Sequence, residues 1–349
     1  MTDPTMTEPR LTSLSHGGGC GCKIAPGVLS EILKDTAAMA VPPELLVGIG
    51  TADDAAVYQL NEDQALVATT DFFMPIVDDP FDFGAIAATN AISDVYAMGG
   101  RPIMALALVG MPIGQLSTQT IGKILKGGQS VCQSAGIPIA GGHTIDSVEA
   151  IYGLVVMGLV HPKKLKRNAD TKPGDVIILG KPLGVGIYSA ALKKAALSEA
   201  DYRLMVETAT RLNRPGADLA DIDEVHAVTD VTGFGLAGHA LEMARGAGVQ
   251  IAIDWPAVPL LPETRAFAEQ GFITGASGRN WAGYGREVSL PAGFSDTDRA
   301  ILTDPQTSGG LLVSCTPAAA TRVEKVFADH GFAACRVGVA QAGAGLLVR

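Results

Sequence analysis

QALVATTD (residues 64–71), FGAIAATNAISDVYAM (83–98) and IMALALV (103–109) follow one another closely in the chain. They read as a short apolar run ending in a carboxylate, a helical segment, and a second short apolar run. The same alternation extends outward in both directions. Further strands are expected over 151–160, 176–179, 226–229, 249–253 and 311–314. Helices are expected over 26–34, 117–135, 186–195, 200–212, 235–246 and 318–330. The fold class is therefore α/β, with mixed sheets. At 349 residues the chain is long enough for two domains of about 150 residues each. The polar stretch HPKKLKRNADTKPGD (161–175) is the expected break, a surface loop within one domain being the competing reading. Residues 1 to about 19 lack periodicity and predict a mobile glycine-rich arm, and 257–291 predicts an irregular connection.

Composition narrows the function. Lys and Arg total 26 against 36 Asp and Glu, a net charge of −10, and only 18% of residues are charged against about 25% in average proteins. A basic face for nucleic acid is not expected. Glycine is in excess, 42 residues or roughly 12%, where about 7% is usual. Backbone must turn tightly or approach a ligand closely somewhere. Five cysteines without repeated spacing argue against a secreted disulfide framework. With no apolar run near 20 residues and no signal-type leader, a cytoplasmic protein without a membrane span is expected.

Four constellations carry possible chemistry. HGGGCGCK (16–23) surrounds Cys20 and Cys22 with small residues and places Lys23 beside them. A nearby ammonium favours the reactive thiolate. Inert tail thiols, a zinc half-site completed by His16 and a redox pair are the competing readings. Second, Asp53, Asp54, Asp71 and Asp230 flank apolar runs, and Asn90 and Asp94 share a helix face four residues apart. Converging carboxylates suit Mg²⁺ with a phosphorylated ligand, although each alone is an ordinary turn former or cap. Third, AGGHT (140–144) and DPQTSGG (304–310) are expected glycine turns of the kind that cradle phosphate, and no P-loop sequence occurs. Fourth, GFGLAG (233–238) lies between an apolar run and a helix, with Asp254 ending the next run. That is most of a dinucleotide fingerprint, loosened by the intervening Asp230-Val-Thr.

Taken in order, HGGGCGCK (16–23), DDAAV (53–57), TTDFFMPIV (69–77), ATNAISDVYAMGG (88–100), AGGH (140–143), TDVTGFGL (229–236) and DPQTSGG (304–310) resemble the selenide, water dikinase family. The resemblance runs from about residue 11 to the C-terminus. It implies the two-domain architecture of the aminoimidazole ribonucleotide synthetase superfamily, with an arm (1–24), an N-terminal ATP- and Mg²⁺-binding domain (25–162) and a C-terminal domain (163–349). It also implies a homodimer. The implied reaction is ATP + selenide + water → selenophosphate + AMP + phosphate, supplying activated selenium for selenocysteine and selenouridine synthesis. By the same resemblance Cys20 and Lys23 are catalytic. Asp54, Asp94 and Asp230 hold Mg²⁺. Thr51, Ala52, Asp53, Asp71, Gly142, His143 and Thr144 contact nucleotide together with Lys23 and Asp94. The alternatives are an NAD-dependent oxidoreductase using GFGLAG and a non-catalytic thiol carrier of selenium.

Overall fold

The computed structural model describes residues 8–24, 28, 31–32, 41–48 and 53–349. Thr51, Ala52 and most of the helix expected over 26–34 lie outside the described residues. Two sheets organise the rest. The first contains β1 (Leu45–Val47), β2 (Ala56–Gln59), β3 (Ala65–Phe73), β4 (Arg101–Met111), β5 (Ile139–Asp146) and β6 (Ile151–Val160), in the order β1-β2-β3-β6-β4-β5. The second contains β7 (Val176–Leu179), β8 (Val225–Asp230), β9 (Gln250–Ile253), β10 (Val288–Ser289), β11 (Leu311–Cys315), β12 (Cys335–Gln341) and β13 (Gly345–Val348). Its order is β10-β13-β9-β12-β7-β11-β8. Residues 161–175 join the two sheets through short 3₁₀ turns. Buried Lys166 is anchored there on the carbonyls of Ile222 and Val225.

Helix α1 (Pro80–Ala97) explains how the two halves meet. Asp79 caps it by accepting from the Asp82 N–H, and Pro80 occupies the first turn, where no N–H is needed. From Phe83 to Ala97 every residue is buried, so α1 is a core helix rather than an amphipathic surface one. It packs on β3 and β6, on α2 (Thr118–Ala135), and on the helix Glu199–Thr210 of the second half. One hydrophobic core consequently runs across the seam, joining Phe83, Ile92 and Tyr152 to Tyr188, Met205 and Leu261.

Several expectations change. AGGHT is not a turn but part of β5, an exposed edge strand parallel to β4. Gly142 permits this pairing because a Cβ there would lie 2.1 Å from the Ala107 carbonyl oxygen. The region 257–291 is not irregular: it holds the helices Thr264–Glu269 and Gly275–Tyr284, the latter capped by the Thr274 hydroxyl. GFGLAG does open a helix, Gly235–Ala247, but β8 and β9 are not neighbours in the sheet, and β8 pairs antiparallel with β11. The parallel βαβ unit that a dinucleotide site requires is therefore missing at this position. The arm, residues 8–24, lies packed against both halves, with Leu11 buried and Arg10 paired to Asp78 at 2.6 Å.

The contact between α1 and α2 depends on missing side-chain atoms: a Cβ on Gly127 would sit 1.9 Å from the Phe81 carbonyl oxygen. We expect Gly127→Ala to destabilise by about 1–3 kcal/mol through overpacking, lowering Tm by roughly 2–4 °C for each kcal/mol. Thermal denaturation checks this, and an unchanged Tm would show that the two helices can separate freely.

Candidate active site

Three polar side chains project from buried α1, and each is satisfied by a different part of the chain. Asn90 is fully buried. Its Nδ2 donates to Asp71 Oδ2 at 2.5 Å, while its Oδ1 accepts from the Cys20 thiol at 3.0 Å and from the Ser308 N–H at 2.8 Å. Ser93 donates to Asp230 Oδ2 at 2.5 Å and accepts from Asn213 Nδ2 at 2.8 Å. Asp94 accepts from the Thr69 hydroxyl at 2.5 Å. Asp71 and Thr69 stand on the helix-covered side of β3, because alternate residues of that strand are buried. Asp230 ends β8 and is 1% exposed. Asn90 thus joins the arm, the first sheet and the 304–310 loop at one point.

The arm reaches this point through the 3₁₀ turn Gly19–Cys22. Gly19 has φ +53°, and a Cβ on it would lie 2.1 Å from Thr307 Oγ1, so only glycine fits there. The Cys20 N–H donates to Thr307 Oγ1 at 3.2 Å, and the residue is 1% exposed. Lys23 is 41% exposed along its side chain, yet its ammonium lies 3.6 Å from Asp71 Oδ2. Asp71 pushes the Lys23 ammonium up despite the opposing effect of burial. Cys20 behaves contrary to expectation. Burial, reinforced by Asp71, pushes its thiol well above the usual range, and Lys23 only partly opposes this. In the docked arm it is a hydrogen-bond donor, not a thiolate. His16 pairs with Glu149 at 2.8 Å rather than with the cysteines, both cysteines are free, and the half-buried Cys22 thiol donates to the Gly19 carbonyl.

Asp54, Asp94 and Asp230 form the acidic centre. Thr229 donates to Asp54 Oδ1 at 2.8 Å, and Asp54 Oδ2 is buried without a hydrogen-bond partner among the described residues. Burial first, then repulsion from Asp230, holds Asp54 and Asp94 well above the carboxylate range. Burial also raises Asp230, against the Ser93 hydrogen bond. Such a group is short of positive charge. Among the described residues, no three Asp, Glu, His or Cys side chains close a metal shell by themselves. Mg²⁺ does not need that, since it commonly takes one or two carboxylates and completes its octahedron with phosphate and water. The donor set and the orphaned oxygen fit it.

The remaining expected residues lie apart. Asp53 Oδ1 accepts from the Asn168 N–H at 2.9 Å and ties the first half to the linking stretch. Gly142 sits in the same cross-strand row as Asp71, through Leu154 and Ala107, three strands away or roughly 14 Å. Thr144 also lies on β5, and His143 aligns with Phe72 on the opposite face, beside a cavity of about 270 Å³. Residues the sequence did not single out hold the 304–310 loop. Buried Lys181, pushed down to about 7 by burial, donates to the Ser308 carbonyl at 2.8 Å. Asp304, pushed up to about 8 by burial, accepts from the N–H groups of Gly186 and Ile187.

Removing Asn90 would strand the Cys20 thiol, Asp71 and the Ser308 N–H together. Asn90→Ala should cost about 1–3 kcal/mol, the usual penalty for buried polar groups left unpaired, and should speed iodoacetamide labelling of Cys20. Labelling at the wild-type rate would show that Asn90 does not hold the arm.

Comparison with known proteins places this geometry. The family described as AIR synthase related protein matches by its N-terminal domain over residues 52–160 and by its C-terminal domain over residues 172–349. A selenide, water dikinase from Pseudomonas straminea is 67% identical over 338 residues, covering 96% of this chain and 95% of the relative. One from Paraburkholderia xenovorans is 62% identical and covers 99% of both chains. A thiamine-monophosphate kinase from Stenotrophomonas maltophilia has the same fold at 20% identity, with a TM-score of 0.65 and coverage of 94% of this chain and 96% of its own. Extent and identity together show that the chain belongs to the selenide, water dikinase family, within the AIR synthase related proteins.

Proposed function

We propose that this chain transfers the γ-phosphoryl group of ATP to selenide and releases the β-phosphoryl group to water, giving selenophosphate, AMP and phosphate. The observation that carries the reading is the convergence on Asn90 of a thiol, a lysine-paired carboxylate and the 304–310 loop, beside an acidic group short of positive charge. Cys20 presents a soft sulfur for selenium, and its S–H donates to Asn90 Oδ1 until the arm moves. Lys23 brings a fixed positive charge to the phosphates. Asp54, Asp94 and Asp230 would hold Mg²⁺, which supplies charge neutralisation for both phosphoryl transfers. Asp53, Asp71, Gly142, His143 and Thr144, with Thr51 and Ala52, are assigned to the nucleotide. Because Cys20 is sealed in the docked arm, the arm must lift to admit selenide. In this reading the arm (1–24), the N-terminal half (25–162) and the C-terminal half (163–349) are the working parts.

The reading is tested by phosphorus NMR on anaerobic mixtures of enzyme, Mg²⁺, ATP and selenide. Cys20→Ser should abolish selenide-dependent AMP formation while MgATP binding survives, and Lys23→Ala should lose turnover without unfolding. Asp54→Ala, Asp94→Ala and Asp230→Ala should each weaken Mg²⁺-dependent nucleotide binding. Full activity of Cys20→Ser, or unchanged nucleotide binding in all three aspartate variants, would overturn the assignments.

We also propose a homodimer. Tyr58, Phe72, Ile103 and Ile145 are more than 40% exposed in the first sheet, with exposed strand β5 at its edge. An apolar surface of this kind suits a second copy of the chain. Wild-type protein should sediment at twice the chain mass and Phe72→Glu at the chain mass; a monomeric wild type would refute the dimer. The five free cysteines suit a reducing compartment, for which we propose the cytoplasm.

A further inference from the structure

On the side of the arm away from α1, a cavity of about 290 Å³ opens between the arm, the helix Val185–Lys193 and the helix Gly275–Tyr284. Lys193, Lys194 and Arg279 line it, with the hydroxyl residues Ser189, Thr274 and Thr307. We propose that this cavity is a second anion site, built for a phosphate-class oxyanion, and that its occupancy holds the arm down.

The charge balance comes first. None of the three cations has a carboxylate within ion-pair distance among the described residues. Asp78, whose field reaches Lys193, is itself paired with Arg10 at 2.6 Å. His16 at the rim is matched by Glu149. A chain of net charge −10 thus gathers three cations without a carboxylate partner around one void, a lining that suits an anion. Burial pushes Lys193 below the usual lysine range, against the opposing field of Asp78.

Geometry links the cavity to the arm. Lys193 Nζ donates to the Gly17 carbonyl at 2.8 Å and Arg279 donates to the Gly21 carbonyl at 2.9 Å, so cavity cations grip the arm on both sides of Cys20. Each keeps further donors, and the Lys194 ammonium makes no hydrogen bond among the described residues. Thr307 faces the cavity and accepts from the Cys20 N–H. An oxyanion here would fix the same cations that fix the arm, coupling its binding to arm closure. The oxyanion class follows from the lining. That the occupant is the orthophosphate or selenophosphate of the proposed reaction rests on that reading.

The test uses the full chain in EDTA, without nucleotide, so that the acidic centre cannot recruit phosphate through Mg²⁺. Calorimetry should detect inorganic phosphate uptake by the wild type and by Asp54→Asn alike, and Lys194→Glu should weaken it by about tenfold or more, as expected for loss of a charge-assisted contact. Phosphate should also slow iodoacetamide labelling of Cys22 in the wild type but not in Lys194→Glu, whose retained MgATP binding reports an intact fold. Tighter binding of thiophosphate than of phosphate assigns the site to selenophosphate, and equal or weaker binding assigns it to orthophosphate; both support an oxyanion site. Absence of phosphate uptake in EDTA, or equal affinity in Lys194→Glu, overturns it. No step depends on selenide or turnover, so this result stands or falls separately from the dikinase assay.

Discussion

A helix buried along its length that carries Asn90, Ser93 and Asp94 imposes the constraint from which the rest of the architecture follows. Each of these side chains would cost about 1–3 kcal/mol if left unpaired in an apolar core. Unlike Thr89, which donates back to the Ala85 carbonyl of the same helix, these three find their partners on other parts of the chain. Asn90 therefore requires Asp71, the arm and Ser308; Ser93 requires Asp230 and Asn213; Asp94 requires Thr69. Satisfying all three fixes how the two sheets sit against one another, and it places Cys20 beside the acidic centre. A polar network of this kind specifies one arrangement strongly, since a partial solution leaves buried donors and acceptors unmet.

The same constraint divides charge between the two sides of the arm. Toward α1 lie Asp71, Asp94 and Asp230, with Lys23 the cation that reaches them. Away from α1 lie Lys193, Lys194 and Arg279. Between them, residues 17–22 of the arm are all glycine and cysteine, so this stretch contributes backbone dipoles and thiols but no charge. On the inner side Lys23 reaches Asp71, and on the outer side Lys193 and Arg279 hold the carbonyls of Gly17 and Gly21. Burial raises the Cys20 thiol while the arm is down, and solvent in place of the apolar surroundings would remove that effect.

Much of this was legible in the sequence, for reasons specific to each element. The strands 64–70, 103–109 and 151–160 and the helix 83–98 stand out because local periodicity and punctuation agree with their tertiary roles. Asn90 and Asp94 fall on one helix face by spacing alone. Strand β5 was hidden because paired glycines look like a turn, whereas here they permit close approach to Ala107. GFGLAG misleads for a different reason: strand adjacency is set by the whole sheet, and β9 packs between β13 and β12 rather than beside β8. Lys181 and Asn213 carry no sequence signal because their partners are 127 and 96 residues distant. The rise of the Cys20 thiol has no sequence signal, since Lys23 is visible beside it in the chain while burial, the larger effect, is not.

The excess of glycine acquires a physical meaning from these contacts. At Gly19 a side chain would strike Thr307, and at Gly233 a Cβ would lie 2.7 Å from the Cys20 carbonyl oxygen. At Gly309 it would lie 1.9 Å from the Val231 carbonyl oxygen, and at Gly186 2.4 Å from Asp304 Oδ1. All four lie on the path that brings the arm, the 304–310 loop and β8 to Asn90. Close approach of the backbone at these points allows a thiol, an asparagine and several carboxylates to share one small volume. Enlarging any of them would push Cys20 or the loop outward by about the thickness of a methyl group, more than a 3.0 Å hydrogen bond to Asn90 tolerates. The glycines therefore set the reach of the arm as directly as Asn90 sets its anchor.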